Sequence, residues 1–124
     1  MQARGDLDEA LRIYTEEQLP ILERLGDVRS IATVLNRLCI IYWKKEEYQK
    51  AYESIQRAFD IVTRLRIPDG ISVVGEQLGQ VLMAAGHHDD AKTVLTLSRD
   101  AYATLGKTED VQAVETLLAQ LDAK

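Results

Sequence analysis

The sequence predicts an all-α protein, an α-solenoid of antiparallel helical hairpins with about six helices. The chain repeats itself at intervals of 40 to 41 residues, and a fixed repeat of this length is typical of solenoids built from stacked helical units. Its apolar residues recur with the spacing of an α-helical stripe. Two prolines and seven glycines in 124 residues are too few for the frequent turns of a β-sandwich or barrel.

The repeat appears when the chain is aligned with itself. Its markers are three alanines, Ala10, Ala51 and Ala91, at spacings of 41 and 40, and three leucines, Leu25, Leu65 and Leu105, at steps of 40. The first unit therefore has one extra residue between its alanine and its leucine. That stretch contains Pro20, and we expect a bulge or kink there because proline removes a backbone hydrogen bond from a helix.

Start and stop signals divide the chain into helices. We expect them at 7–25, 28–44, 47–66, 70–85, 88–105 and 108–122, with links so short that successive helices are antiparallel neighbours. Gly26, Gly86 and Gly106 follow apolar segments, where a left-handed closing residue is favoured. Asp27 and Thr108 are the predicted N-caps of the helices that follow them.

Composition and charge weigh against several function classes. The 15 basic and 20 acidic residues give a net charge of −5, which is unlike a nucleic-acid-binding protein. The longest apolar run, 38–43, is far short of the roughly 20 residues of a membrane-spanning helix, and the start of the chain has no apolar stretch of signal-peptide type. We therefore expect no nucleic-acid or membrane partner. The lone cysteine predicts a reducing, cytoplasmic compartment.

No sequence pattern indicates catalysis. Cys39 occupies a position for a small packed residue, so it is interpreted as an inert core thiol. His87, His88, Asp89 and Asp90 are the only cluster of metal-ligand types, and side chains of adjacent helical residues diverge too much to share a tetrahedral site. No nucleophile with a base and no phosphate loop stands out. We expect a protein that is not an enzyme and that holds no metal and no cofactor.

The spacing of large and small residues resembles the tetratricopeptide repeat. In that family the first helix carries large, large, small and large residues at repeat positions 4, 7, 8 and 11, and the second carries alanine at position 20. The matching residues are Leu35, Leu38, Cys39, Tyr42 and Ala51 in one unit and Gly75, Leu78, Gly79, Leu82 and Ala91 in the next; Gly75 departs from the family's bulky residue. The longer period is similar to that of kinesin light chains and bacterial regulatory proteins of this family.

The resemblance implies one repeat domain over 1–124, in which the first helix corresponds to the second helix of a repeat. The domain divides into a half repeat at 5–26, repeats at 27–66 and 67–106, and a half repeat at 107–124. With the first and second helices of a repeat named A and B, the order is B-A-B-A-B-A. A segment of a longer array remains an open alternative.

The resemblance also implies a non-catalytic scaffold that binds a peptide or helix of a partner protein. The family's concave groove is lined by the first helix of each unit. The groove positions carried over are Thr33, Asn36, Arg37, Ile40, Trp43, Lys44, Glu76, Gln77, Gln80 and Met83. Asn36 is the only asparagine of the chain, and an amide both donates to and accepts from a peptide group. We expect Asn36, Arg37 and Trp43 to form a peptide-docking patch.

Two alternatives stay open. One is a self-assembling structural unit, because the first and last helices lack a partner helix in the repeat frame and are expected to expose apolar side chains. Those side chains are Leu11 and Tyr14 in the first helix and Leu117, Leu118 and Leu121 in the last, and end-to-end stacking or helix exchange would make a homo-oligomer. The other is a regulatory module that changes its curvature when it senses a signalling peptide.

Overall fold

A computed structural model describes residues 4–123, which are helical apart from short turns. The helices are α1 (Arg4–Arg12), α2 (Leu19–Leu25), α3 (Val28–Lys44), α4 (Tyr48–Arg64), α5 (Pro68–Ala84), α6 (His88–Thr104) and α7 (Thr108–Asp122). A π-helical segment, Ile13–Gln18, joins α1 to α2 without a break. The described residues thus form six continuous helices and no strand, which confirms the predicted all-α fold.

The π-helical segment lies where the repeat contains its extra residue. The backbone N–H of Leu19 bonds to the carbonyl of Tyr14, five residues earlier, instead of the four-residue step of an α-helix. Pro20 lies in the first turn of the α-helix that follows, where its missing N–H costs little. The predicted bulge is therefore present, and it absorbs one residue without interrupting the helix.

The helix ends agree with the sequence signals in most places. The Asp27 carboxylate caps α3, because its Oδ1 accepts a hydrogen bond of 3.2 Å from the backbone N–H of Ser30, and the bonds from Ser30 lower the pKa of Asp27. The N-cap prediction for Thr108 is wrong, since Lys107 holds that position. Helix α5 begins at Pro68 rather than at 70, because proline suits the first helical turn.

Five turns of the same form close the successive helices. The residues in the left-handed conformation are Gly26, Glu46, Arg66, Gly86 and Gly106, with φ between 53° and 82°. In each turn the residue after the left-handed one donates its N–H to a carbonyl five residues earlier, as in the Schellman motif. The three predicted closing glycines are confirmed, and two charged residues occupy the equivalent places in the other turns.

The described residues fall into two compact units, one that ends at Ile61 and one that begins at Val62. In the first unit α1 and α2 pack against α3. The core residues of α3 are Ile31, Ala32, Val34, Leu35, Leu38, Cys39 and Ile41. Lys45, just beyond α3, forms an ion pair with Asp8 of α1, which ties the end of α3 to the first helix.

The second unit packs α5 against α6 and α6 against α7. Gly79 of α5 faces Leu95 of α6 so closely that a Cβ on Gly79 would lie 2.5 Å from the Leu95 Cγ. Ser98 of α6 is fully buried, and its hydroxyl donates a bond of 2.7 Å to the backbone carbonyl of Ser72. Small residues therefore let these two helices approach closely, as the repeat pattern predicts.

Candidate functional site

Six of the predicted groove residues lie on α3 and share one side of it. At about 100° per residue, Thr33 and Ile40 lie along the middle of a strip about 120° wide. Asn36 and Trp43 follow one margin of the strip, and Arg37 and Lys44 follow the other. Thr33, Arg37, Trp43 and Lys44 are exposed, whereas Asn36 and Ile40 are half-buried. We call these six residues the α3 face.

The basic character of the α3 face comes from its own helix. Helix α3 contains Arg29, Arg37 and Lys44 and no acidic residue. Arg37 and Lys44 form no ion pair within residues 4–123, whereas the next two lysines along the chain are engaged: Lys45 with Asp8 and Glu47, and Lys50 with Glu47. The charges of Arg37 and Lys44 are therefore available to a ligand.

An aromatic pair lies at the end of the α3 face. The rings of Trp43 and Tyr48 meet edge to face, with centroids 4.6 Å apart and planes inclined at 66°. The two side chains are 36% and 49% exposed, so a large part of the pair is open to solvent. Beside them the ammonium of Lys50 lies 5.8 Å from the centre of the Tyr42 ring, within the range of a cation–π contact.

Sequence reasoning missed Tyr48 because that residue belongs to α4. It follows Trp43 by five residues, and a turn separates the two residues. Helical periodicity applies only within one helix, so it does not relate the two rings. The one signal in the sequence is a tyrosine at the start of the helix expected at 47–66, close to Trp43 along the chain.

The side-chain oxygen of Asn36 has no hydrogen-bond donor within residues 4–123, which is unusual for a shielded polar atom. Its Oδ1 is shielded from solvent and accepts no hydrogen bond from any of the described residues. Shielded polar atoms in folded proteins nearly always have a partner, and an unmet acceptor costs free energy. This oxygen is therefore an acceptor that the described residues leave without a donor.

The predicted groove residues of α5 lie in the second unit and have a different environment. Glu76 and Gln77 are half-buried, Gln80 is exposed and Met83 is half-buried. The hydroxyl of Tyr102 donates a hydrogen bond of 2.6 Å to the Glu76 carboxylate. Glu76 is thus held by a side chain 26 residues further along the chain, a contact that the sequence did not reveal.

Tyr102 is buried, and its surroundings raise the pKa of its hydroxyl. Burial raises the pKa of its hydroxyl first, and the hydrogen bond to Glu76 and the negative charges of Glu76 and Asp110 raise it further. Helix α5 carries Asp69 and Glu76 and no basic residue, which is the opposite of the charge on α3.

The residues expected to drive self-association differ in their exposure. Leu11, Tyr14 and Leu117 are half-buried. The expectation that Leu118 and Leu121 are exposed is wrong, since they are 9% and 8% exposed. The reason is that Val114, Leu118 and Leu121 form one apolar stripe at i, i+4 and i+7, which is the buried side of α7.

The surroundings of Cys39 and of the possible metal ligands bear on catalysis and metal binding. Cys39 is completely buried, and burial raises the pKa of its thiol to about 11, which disfavours the nucleophilic thiolate at neutral pH. Within the described part of the chain, no group of three or more His, Cys, Asp or Glu residues is arranged to hold a metal ion. Nor does any helix there combine the length and apolarity needed to cross a membrane.

Comparison with known proteins identifies the repeat. No curated protein matches the chain. The family model described as tetratricopeptide repeat matches residues 30–104, which is more than half of the 124 residues. The matched range runs from the first turn of α3 to the end of α6. The chain therefore belongs to the tetratricopeptide repeat family.

Proposed function

We propose that this chain is a non-catalytic interaction module that docks a peptide or helix of a partner protein on the α3 face. Tetratricopeptide repeats generally mediate protein–protein interactions. The observation that carries the proposal is the combination, on one side of one helix, of an amide oxygen without a partner, two unpaired cations and an exposed tryptophan.

Each group on the α3 face has a defined task in this proposal. Rotation of the Asn36 side chain toward solvent exposes its amide, and a backbone N–H of the bound segment then donates to the Oδ1. Trp43 provides the large apolar contact of the kind that dominates the energy of protein interfaces. Arg37 and Lys44 select acidic side chains and raise the association rate.

The exposed side of α5 provides a second contact surface in this proposal. Gln77 and Gln80 offer amide groups, Met83 offers a flexible apolar contact, and the carboxylate of Glu76 is fixed by Tyr102. These residues belong to the same family positions as the α3 face, which supports assigning them a binding role within the second unit.

A display selection tests the proposal. A library of random dodecapeptides is selected against the immobilised chain, and the affinity of the best peptide is measured by fluorescence anisotropy. The test variant combines Asn36→Ala, Arg37→Ala and Trp43→Ala. The matched control replaces an amide, an arginine and a large apolar residue that are exposed elsewhere in the first unit, through Gln49→Ala, Arg57→Ala and Leu25→Ala.

We expect the test variant to bind the peptide at least about tenfold more weakly, and the control to stay within about twofold. Circular dichroism and thermal melts show whether both variants remain folded. Unchanged affinity in the folded test variant would remove the α3 face from the proposal.

Self-association is a second candidate, favoured by exposed apolar residues on the first helix. Ile21 and Leu25 of α2 are 48% and 72% exposed, and Leu11 and Tyr14 are half-buried. Burial of such side chains by a second copy would stabilise a dimer. Light scattering tests it: an average mass that rises with concentration and falls in Leu25→Glu supports self-assembly, and a constant monomer mass contradicts it.

In a regulatory version of the main proposal, the module also changes its curvature when the peptide docks. This version predicts that the selected peptide changes the radius of gyration in solution scattering. An unchanged radius at saturation would leave a scaffold without a sensing role.

A further inference from the structure

We infer that the segment docked on the α3 face is an acidic polyproline II segment whose proline ring lies against Trp43 and Tyr48. This inference rests on the proposed function and adds the chemistry of the partner. Three observations on the first unit carry it: the spacing of the two free cations, the closed contact of the aromatic pair, and the absence of acidic residues from α3.

The first observation is the spacing of Arg37 and Lys44. They are seven residues apart on one helix, so they lie on the same side, within about 20°, and about 10.5 Å apart along the axis. This is the distance between the backbone positions of the two cations, so a ligand that presents two acids at about that distance on one side pairs with both most directly.

A polyproline II helix meets this requirement with a simple pattern. It has three residues per turn and rises about 3.1 Å per residue, so acids three residues apart face the same way at a distance of about 9.3 Å. A β-strand presents residues i and i+2 on one face at about 6.6 Å, and i and i+4 at about 13 Å. The spacing on α3 therefore fits the polyproline II form better than a strand.

The second observation is that the Trp43 and Tyr48 rings already touch. With their centroids 4.6 Å apart, no space remains between them for the planar ring of another residue. The exposed parts of the two rings, which are inclined at 66°, together form a shallow apolar surface. A proline ring suits such a surface, and proline-rich segments dock on aromatic side chains with little loss of conformational entropy.

Asn36 fits the same ligand. It lies seven residues before Trp43, on the same margin of the α3 face and about 10.5 Å away along the axis. The backbone of a polyproline II helix forms no internal hydrogen bonds. A residue of the segment other than proline therefore has a free N–H, which donates to the Asn36 Oδ1 once that side chain has rotated from its shielded position toward the ligand.

The third observation concerns charge and separates an acidic peptide from a nucleic acid. The free cations on α3 are matched by a short segment with two acids. A polyanion would also meet Glu46, two residues beyond the end of α3, in a chain whose net charge is −5. A peptide with localised acids is therefore the better match.

The probes are three labelled nine-residue peptides on a polyproline host, each with one glycine between its two charged residues. The first has two glutamates three residues apart, the second has them two residues apart, and the third has two lysines three residues apart. Binding is measured by fluorescence anisotropy at low salt for the wild-type chain, for Trp43→Ala and for Tyr48→Ala. Leu25→Ala is the control for an exposed apolar residue, and a dT20 oligonucleotide is the nucleic-acid probe.

We expect the first peptide to bind at least about tenfold more tightly than the other two. Trp43→Ala and Tyr48→Ala should each weaken it by about fivefold or more, and Leu25→Ala by less than twofold. Equal binding of the two glutamate peptides, no effect of Trp43→Ala, or tighter binding of dT20 overturns the inference.

The outcome is separable from that of the proposed function. If dodecapeptides selected from the random library depend on Asn36, Arg37 and Trp43 but are not enriched in proline and acidic residues, the docking surface stands and this partner chemistry is wrong. If no selected peptide depends on those three residues, the proposed function itself fails.

Discussion

Gly79 and Leu95 lie in contact across the α5–α6 interface, where the second unit leaves no room for a side chain on Gly79. The same pair explains why the repeat has a small residue at this place. In an isolated helix glycine is less favourable than alanine by about 1 kcal/mol, so its presence here reflects packing rather than helix propensity.

Replacing Gly79 by alanine tests this packing. A Cβ would lie 2.5 Å from the Leu95 Cγ, and overpacking of a core costs about 1–3 kcal/mol. We expect Gly79→Ala to lower the free energy of unfolding by about that amount in urea titrations, despite its better helix propensity. Gly5→Ala is the control, because a Cβ on Gly5 has no neighbour within 4 Å; equal effects at the two sites would contradict the packing argument.

Glycine in place of the left-handed residues at 46 and 66 should make the protein more stable. Glu46 and Arg66 adopt φ of 64° and 53°, a conformation that costs a residue with a Cβ about 1–2 kcal/mol. We expect Glu46→Gly and Arg66→Gly each to raise the free energy of unfolding by about 0.5–1 kcal/mol, because glycine removes that strain but gains entropy in the unfolded chain.

The control for the turns is Ala85→Gly. Ala85 precedes a left-handed residue and has an ordinary φ of −83°, so glycine there should destabilise the fold. Destabilisation by all three glycine variants would show that the left-handed turns store no strain.

The hydrogen bond between Tyr102 and Glu76 predicts a dependence of stability on alkaline pH. The pKa of Tyr102 is raised by burial, and then by Glu76 and Asp110, so the folded state favours the protonated phenol. Its contribution is complete below the ordinary tyrosine pKa of about 10 and is lost as the pH rises through the folded-state value.

Urea titrations of the wild type and Tyr102→Phe between pH 7 and 11 measure this effect. At pH 7 we expect the variant to be less stable by about 1.5–3 kcal/mol, the typical net value of a hydrogen bond to a charged group. Above pH 10 the difference should shrink, because only the wild type loses this contribution. A constant difference between the two proteins would contradict the assignment; Tyr48→Phe, at an exposed tyrosine, is the control.

The extra residue of the first helix can be removed. Deletion of Glu16 restores the 40-residue spacing, but it places Pro20 inside an uninterrupted α-helix, where proline costs about 3 kcal/mol. We expect the deletion alone to destabilise the chain by about that amount, and the deletion combined with Pro20→Ala to recover most of it. Thermal melts of the two variants decide this, and full stability of the deletion alone would show that the π-helical segment does not accommodate Pro20.

Much of the fold follows from local patterns in the sequence. The turn glycines, the Asp27 cap and the position of the bulge depend on residues close together in the chain, so periodicity and capping rules predict them. The charged left-handed residues Glu46 and Arg66 lack the glycine signal, although each lies 20 residues from a turn glycine.

The candidate site was predicted less completely, because its geometry depends on contacts between helices. The family positions identify the α3 face residue by residue. The Tyr48 ring and the Tyr102 bond to Glu76 join different elements, and no helical spacing encodes them. The burial of Leu118 and Leu121 depends on which side of α7 is covered, which the sequence alone left ambiguous.

The most direct measurement of the central claim is a map of backbone amide chemical shifts in the labelled chain as the selected dodecapeptide is added. Docking on the α3 face predicts that the largest shifts fall within 33–44 and near Tyr48, and that they disappear when Asn36, Arg37 and Trp43 are all replaced by alanine. Large shifts confined to α4 and α6, with α3 unchanged, would contradict it.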